Sequence, residues 1–229
     1  MKLLKLYDLL LESVDRDMFE DVDESQLSED YPVNFDIFQF KNIRSYAEKL
    51  RYAKEHLGNP IGKGSSRSVY RVDTYKVLKL AMNKKGVAQN EVEINWGGDS
   101  YYAQVLADVF DYDRDNHYWV EMEVAFKPKK SDFTKLWNIK FDDLQFYLGN
   151  KREENRGRRG RWYIDPEVKN RMNENEHVQL LLSFMYDSDA GPGDLSKLNS
   201  WGLVRRQDGE NLVLIDFGLT NEVYESYYK

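Results

Sequence analysis

The chain has 229 residues, enough for one domain or one domain with a short appendage, and 41% apolar with 14% aromatic residues supply a core, against wholesale disorder. Its 33 basic and 40 acidic side chains leave a net charge of −7, which argues against non-specific coating of nucleic acid. Having no cysteine excludes disulfides and thiolate chemistry, three scattered histidines argue against a metal cage, and no apolar run approaches the ~18–20 residues of a membrane span. These features point to a soluble protein of a reducing compartment.

Residues 1–12, MKLLKLYDLLLE, place Leu3, Tyr7, Leu10 and Leu11 at helical spacing and predict an amphipathic helix with no secretory signal. Residues 13–35 read as an acidic linker, with eight carboxylates between Asp15 and Asp30 against Arg16 alone. The region 36–126 opens with a helix over Asn42–Leu57, striped by Ile43, Tyr46, Ala47, Leu50 and Ala53 and stopped by Gly58. Short strands follow around Ile61, Val69–Val72 and Lys76–Ala81, with turns at Gly62–Ser66 and Asp73–Thr74. A helix is expected over Val87–Trp96, then strands near Tyr102–Phe110 and Tyr118–Val124.

In the region 127–229, Ser131 can cap a helix running to about Leu148, with Phe133, Leu136, Trp137, Leu144 and Tyr147 inward. Residues 151–161, KREENRGRRGR, carry six basic side chains and two glycines and read as an exposed loop. Asp165-Pro166 begins a helix through Val178, Leu181, Leu182 and Met185, which Gly191-Pro192-Gly193 breaks. A hairpin is expected over Trp201–Arg205 and Asn211–Ile215, turning at Asp208-Gly209.

Four pieces carry chemistry. In Ile61-Gly62-Lys63-Gly64-Ser65-Ser66, a glycine turn between strands lets backbone N–H groups approach phosphate oxygens. Its spacing is not that of a Walker A loop. Lys79 alternates with apolar neighbours on an inner strand, so it must face a cleft or find a partner; Glu91 and Glu93 are both candidates. Asp194 and Asn199 form an Asp-x4-Asn pattern, and Leu214-Ile215-Asp216-Phe217-Gly218 is a strand ending in Asp-Phe-Gly. One carboxylate to orient a hydroxyl, and an amide with a second carboxylate to hold magnesium, are the groups phosphoryl transfer needs.

In this order the pieces resemble the protein-kinase-like superfamily over about residues 59–218. The style of GKGSSRSVYRV followed by KVLKLA is similar to small kinase-like proteins of tailed bacteriophages. The resemblance implies an α+β, bilobal fold with a β-rich N-lobe and a reduced, truncated helical C-lobe, binding ATP and Mg2+. By the resemblance, Gly62, Gly64, Ser65 and Ser66 line the phosphate loop, Lys79 pairs with phosphates, and Glu93, with Glu91 second, is its helix partner. Met122 lies near the gatekeeper, and the backbone of Glu123 and Ala125 would contact adenine. Asp194 is the catalytic aspartate, and Asn199 and Asp216 are the metal ligands. Two departures stand out: Arg67 replaces the third glycine, and Pro192-Gly193 replaces the His-Arg that supports the catalytic loop. There is also no Ala-Pro-Glu segment after Gly218.

The leading expectation is a kinase-like phosphotransferase of unknown acceptor, a phage or host protein or a small molecule. A pseudokinase-type binding module without catalysis is the alternative. Nucleic-acid binding through 151–161 is a third reading, disfavoured because Glu153 and Glu154 interleave with the cations. Leu10-Leu11-Glu12 followed by Ser13 resembles sites cut by phage prohead proteases, which implies a capsid-targeting tag. The expected locations are therefore the host cytoplasm or the virion, with no membrane association.

Overall fold

The computed structural model describes residues 34–155, 157–207 and 209–228, so the expected N-terminal helix, the processing site and nearly all of the acidic linker lie outside the described residues. The chain is mixed α+β, with a five-stranded antiparallel sheet, a separate two-stranded hairpin and several helices. It divides into two compact units, one of residues through Glu91 with Val109–Phe126, the other of Val92–Asp108 with Lys127–Lys229.

The first unit begins with helix α1 (Ile37–Asn42), whose first-turn N–H groups from Phe38 and Gln39 donate to the Asp36 carboxylate at 2.8 and 3.1 Å. Helix α2 (Tyr46–Leu57) is capped by Ser45 and followed by Gly58 at φ +80. The helix expected over Asn42–Leu57 is thus interrupted at Ile43, which is extended. Of the expected stripe, Ala53 is buried and Ile43 and Leu50 pack against the core, while Ala47 is exposed; Lys49 and Tyr52 face inward as well. Lys49 is held inward by backbone carbonyls. Its ammonium donates to the carbonyls of Phe40 and Lys41 at 2.8 and 3.1 Å, closing the end of α1, and it lies 4.6 Å from the centre of the Phe40 ring. Burial pushes its pKa down, opposed by the charge of Asp113.

The sheet comprises β1 (Gly62–Lys63), β2 (Arg67–Arg71), β3 (Lys76–Ala81), β4 (Val109–Tyr112) and β5 (Trp119–Glu123), in the order β1-β2-β3-β5-β4. Between β2 and β3, Asp73 accepts from the N–H groups of Tyr75 and Lys76 at 2.6 and 2.7 Å, which closes the turn. Tyr70, Val72, Leu78, Leu80 and Trp119 join Phe35, Phe40, Tyr52 and Ala53 in one core, so α1 and α2 cover one face of the sheet. Phe35, expected as the linker's last residue, belongs to this core, 5.6 Å from the Phe40 ring. Helix α3 (Lys84–Gly97) then carries the chain into the second unit.

Val92–Asp108, expected in the first region, packs within the second unit. Trp96 and Tyr102 meet Phe184 edge-on at 5.8 and 5.7 Å. The strand expected from Tyr102 is absent there: residues 101–105 are turns, and Leu106 bridges Leu214 in parallel before β4 begins at Val109. The helix expected from Ser131 to Leu148 is two, α4 (Lys130–Trp137) and α5 (Phe141–Asn155), broken at Asn138, which is left-handed at φ 54. Helix α5 also extends four residues past Lys151, so the expected loop starts late.

Asn175 divides the next expected helix. It ends α6 (Pro166–Glu174) and caps α7 (Glu176–Asp187), its side chain accepting from Val178 N–H at 3.1 Å and donating to the Trp137 carbonyl at 2.6 Å. A short helix α8 (Pro192–Leu195) forms where Gly191-Pro192-Gly193 was expected only to break structure. The hairpin β6 (Trp201–Arg206) and β7 (Gly209–Leu214) follows, then α9 (Asn221–Tyr227). Trp201 packs edge-on against Phe133 and Trp137 at 5.2 and 5.3 Å and anchors the hairpin on α4. Among the described residues, no helix is long and apolar enough to cross a membrane.

Candidate functional site

The run Leu212-Val213-Leu214 is fully buried and pins β7 in place. Trp201 pairs with Leu214 at the end of the hairpin, and just beyond them the N–H groups of Ile215 and Asp216 reach the Ser200 carbonyl at 2.8 and 3.4 Å. Asn199, in a single 3-10 turn (Leu198–Ser200) before the first strand, and Asp216, just after the second, therefore stand at the same end of the hairpin, and both are exposed. Phe217, next to Asp216, is 2% exposed and packs edge-on against Phe184 at 5.8 Å. A buried leucine behind and a buried phenylalanine ahead hold the Asp216 backbone while leaving its side chain at the surface.

Asp194 lies in α8, described by its backbone alone. The loop around it is bracketed at both ends by the segment that carries Asp216. At its start, Ala190 bridges Thr220, and Asn221 donates its N–H to the Asp189 carbonyl at 3.0 Å and its side-chain amide to the Asp189 carboxylate at 2.8 Å. Asp189 is left-handed at φ 55, a conformation these bonds hold in place. At its end, Ser200 binds Ile215. The two pieces Asp-x4-Asn and Asp-Phe-Gly are thus laid side by side in one unit.

With Pro192-Gly193 in place of His-Arg, the sequence reading leaves this loop without support. The support comes from elsewhere. The Trp201 indole N–H donates to the Leu195 carbonyl at 2.8 Å in a buried position, and the Gln145 amide donates to the Ser196 carbonyl. No motif in the sequence marks either partner. Trp201→Phe keeps the ring contacts but leaves the Leu195 carbonyl without its donor. The expected outcome is a loss of about 1–3 kcal/mol in urea unfolding, the cost of an unsatisfied buried carbonyl, with faster amide exchange across 192–200.

In the first unit, Lys79 is central on β3, opposite Val69 on β2 and Val120 on β5, and only 6% exposed. Alternation puts it on the sheet face opposite Leu78 and Leu80, away from the α1–α2 core. The glycine turn joins β1 to β2 with Gly62 opposite Val69, and the Gly64 N–H donates to the Arg67 carbonyl at 2.9 Å. Gly64 and Ser65 are exposed at the tip. Ser66 is buried instead, its hydroxyl 2.6 Å from Gln89 Oε1, so this hydroxyl holds the turn to α3 rather than facing a ligand. Glu93 is fully buried on α3, whereas Glu91 is exposed and sits 3.9 Å from His117. Met122 is buried opposite Val77, Glu123 ends β5 opposite Lys76, and Ala125 follows the strand.

Three residues not expected at the site tie the turn down. Asn83 accepts from the Gly86 N–H at 3.2 Å and donates to the Ser65 carbonyl at 2.9 Å, and Gln89 holds Ser66. Gly86 permits this approach: a Cβ there would lie 2.2 Å from the Ser66 carbonyl oxygen and 2.9 Å from the Ala81 Cα. Both neighbours are backbone and cannot swing away. Gly86→Ala is expected to destabilise the first unit by about 1–3 kcal/mol by overpacking, despite alanine's better helix propensity. Thermal denaturation checks this, and a neutral or stabilising result would contradict the close approach.

Asn199 and Asp216 supply amide and carboxylate oxygens, a donor set that suits magnesium, which keeps waters and takes further oxygens from a phosphate ligand. Among the described residues no group of three His, Asp or Glu side chains could hold a metal unaided. No protein-family model matches the chain. A comparison with curated proteins likewise finds no match.

Proposed function

We propose that the chain is a phosphotransferase of the protein-kinase-like kind, its two units corresponding to a β-rich lobe and a reduced helical lobe, that uses ATP with Mg2+. The observation that carries this reading is the double bracketing of the Asp194 loop against the Asp216 segment, through Ser200–Ile215 and Ala190–Thr220. Two unrelated surface loops have no need of such pairing, whereas an acceptor-orienting carboxylate and metal-holding oxygens must be fixed relative to one another.

On this reading Asn199 and Asp216 hold magnesium, which when bound neutralises charge on the phosphates. Lys79 adds a point charge to the phosphates from the middle of a rigid sheet. The exposed Gly64–Ser65 tip approaches phosphate oxygens, its Gly64 N–H already held by the Arg67 carbonyl and its turn fixed from behind by Ser66, Asn83 and Gln89. Asp194 would accept a hydrogen bond from the acceptor hydroxyl and take its proton as the acceptor oxygen bonds to the γ-phosphorus and the bond from that phosphorus to the bridging oxygen breaks, releasing ADP.

The test is transfer of labelled γ-phosphate from ATP, with candidate phage and host acceptors and water supplied. Magnesium-dependent transfer that Lys79→Met removes supports the proposal. Transfer unaffected by Lys79→Met would refute it.

A further inference from the structure

The basic stretch after Lys151 does not behave as its sequence suggests. Because α5 continues to Asn155, Glu153 is turned inward and is only 8% exposed. Each glutamate faces two cations at long range: Glu153 faces Arg158 and Arg161 at 3.7 and 3.8 Å, and Glu154 faces Lys151 and Lys169 at 3.3 and 4.0 Å. With Arg159, five cations stand against two carboxylates around this part of the second unit. Burial pulls the Lys151 pKa down, but Tyr147 and Glu154 outweigh it and leave the ammonium above the usual lysine range. By charge count the cleft region stays net positive, five cations to two carboxylates.

Of these, Lys151, Glu154, Arg159, Arg161 and Lys169 line a cleft of about 480 Å³, a size that suits small ligands. Trp162 lines it and is 43% exposed. Phe146 stacks behind the indole at 6.1 Å and 24°. Gly149 gives it room, since a Cβ there would lie 2.5 Å from the ring. Asn150 clamps its backbone from both sides, donating to the Trp162 carbonyl at 2.7 Å and accepting from its N–H at 3.0 Å. Tyr163 beside it is 85% exposed. An indole could be buried more deeply at no such expense. A clamped, half-open ring beside excess cations combines a stacking shelf with a phosphate-attracting wall.

We propose that this cleft binds single-stranded nucleic acid, a base stacking on Trp162 and its flanking phosphates meeting Lys151, Arg159, Arg161 and Lys169. An acidic peptide would use the cations but has no use for the exposed indole, so the ring decides between them. The inference is independent of the phosphotransferase reading, because none of these residues serves in it.

The experiment is anisotropy of a fluorescein-labelled twelve-residue oligothymidylate titrated with the full chain at 50 mM and 200 mM salt, with poly-glutamate as competitor. Binding is expected at low salt, weakening steeply as salt rises. Trp162→Ala should weaken it about 5- to 100-fold, and Trp162→Phe should retain most of it. The exposed pair Arg159→Ser/Arg161→Ser should flatten the slope of log affinity against log salt by about 1. Absence of binding at 50 mM salt, equal affinity in Trp162→Ala, or displacement by poly-glutamate at matched charge would each overturn the proposal.

Discussion

Asp216→Ala is expected to abolish magnesium-dependent ATP binding while leaving the melting temperature of the free protein nearly unchanged. The two halves of this outcome have separate causes. Asp216 is exposed, and its backbone is held by the buried neighbours Leu214 and Phe217 and by the Ser200 carbonyl, none of which the substitution removes. The hard cation, by contrast, loses its only carboxylate in the proposed donor set, and the Asn199 amide does not replace that charge. Calorimetry with ATP and magnesium reads the effect directly. Wild-type affinity in Asp216→Ala would remove this residue from the metal site, and a large fall in melting temperature would show a structural role instead.

Asp194→Ala should leave nucleotide binding almost intact and lower turnover by about 10²–10⁴-fold, the range for a positioned acid–base group. The loop's anchors are backbone carbonyls, Leu195 held by Trp201 and Ser196 by Gln145, so they survive loss of the carboxylate. They fix the backbone of the loop without the His-Arg pair. If wild-type protein shows no turnover above the Asp194→Ala background with acceptors supplied, the chain is a nucleotide-binding module rather than an enzyme. Steady-state kinetics together with calorimetry on both proteins distinguishes these outcomes.

What the sequence made legible was local and periodic. The strand around Lys79 stood out because apolar alternation and a buried lysine coincide within six residues, and the hairpin because its two runs flank a turn. Breaks made by single asparagines were not legible. Asn138 and Asn175 end helices through a left-handed backbone and a side-chain cap, and neither leaves the glycine or proline mark a reader looks for. The burial of Lys49 on α2 was not legible, because it comes from bonds to α1 rather than from apolarity.

For the candidate site, the residue types Asp194, Asn199 and Asp216 were readable, but the contacts that hold them were not. Ala190 and Thr220 are thirty residues apart and carry no pattern that announces a pair. Gly86 reads as a weak helix residue until the Ser66 carbonyl is seen against it. The Trp162 shelf was missed for a similar reason, since its clamp, Asn150, lies twelve residues earlier on a helix expected to have ended.

The most direct measurement is the thermal unfolding of the wild-type chain with ATP and magnesium, with ATP and EDTA, and with magnesium alone. Ligand that binds only the folded state stabilises it by RT ln(1 + [L]/Kd), about 2.7 kcal/mol at a hundredfold excess over Kd. The predicted result is stabilisation that requires ATP and magnesium together. No shift at millimolar ATP and magnesium, or an equal shift in EDTA, would contradict the account.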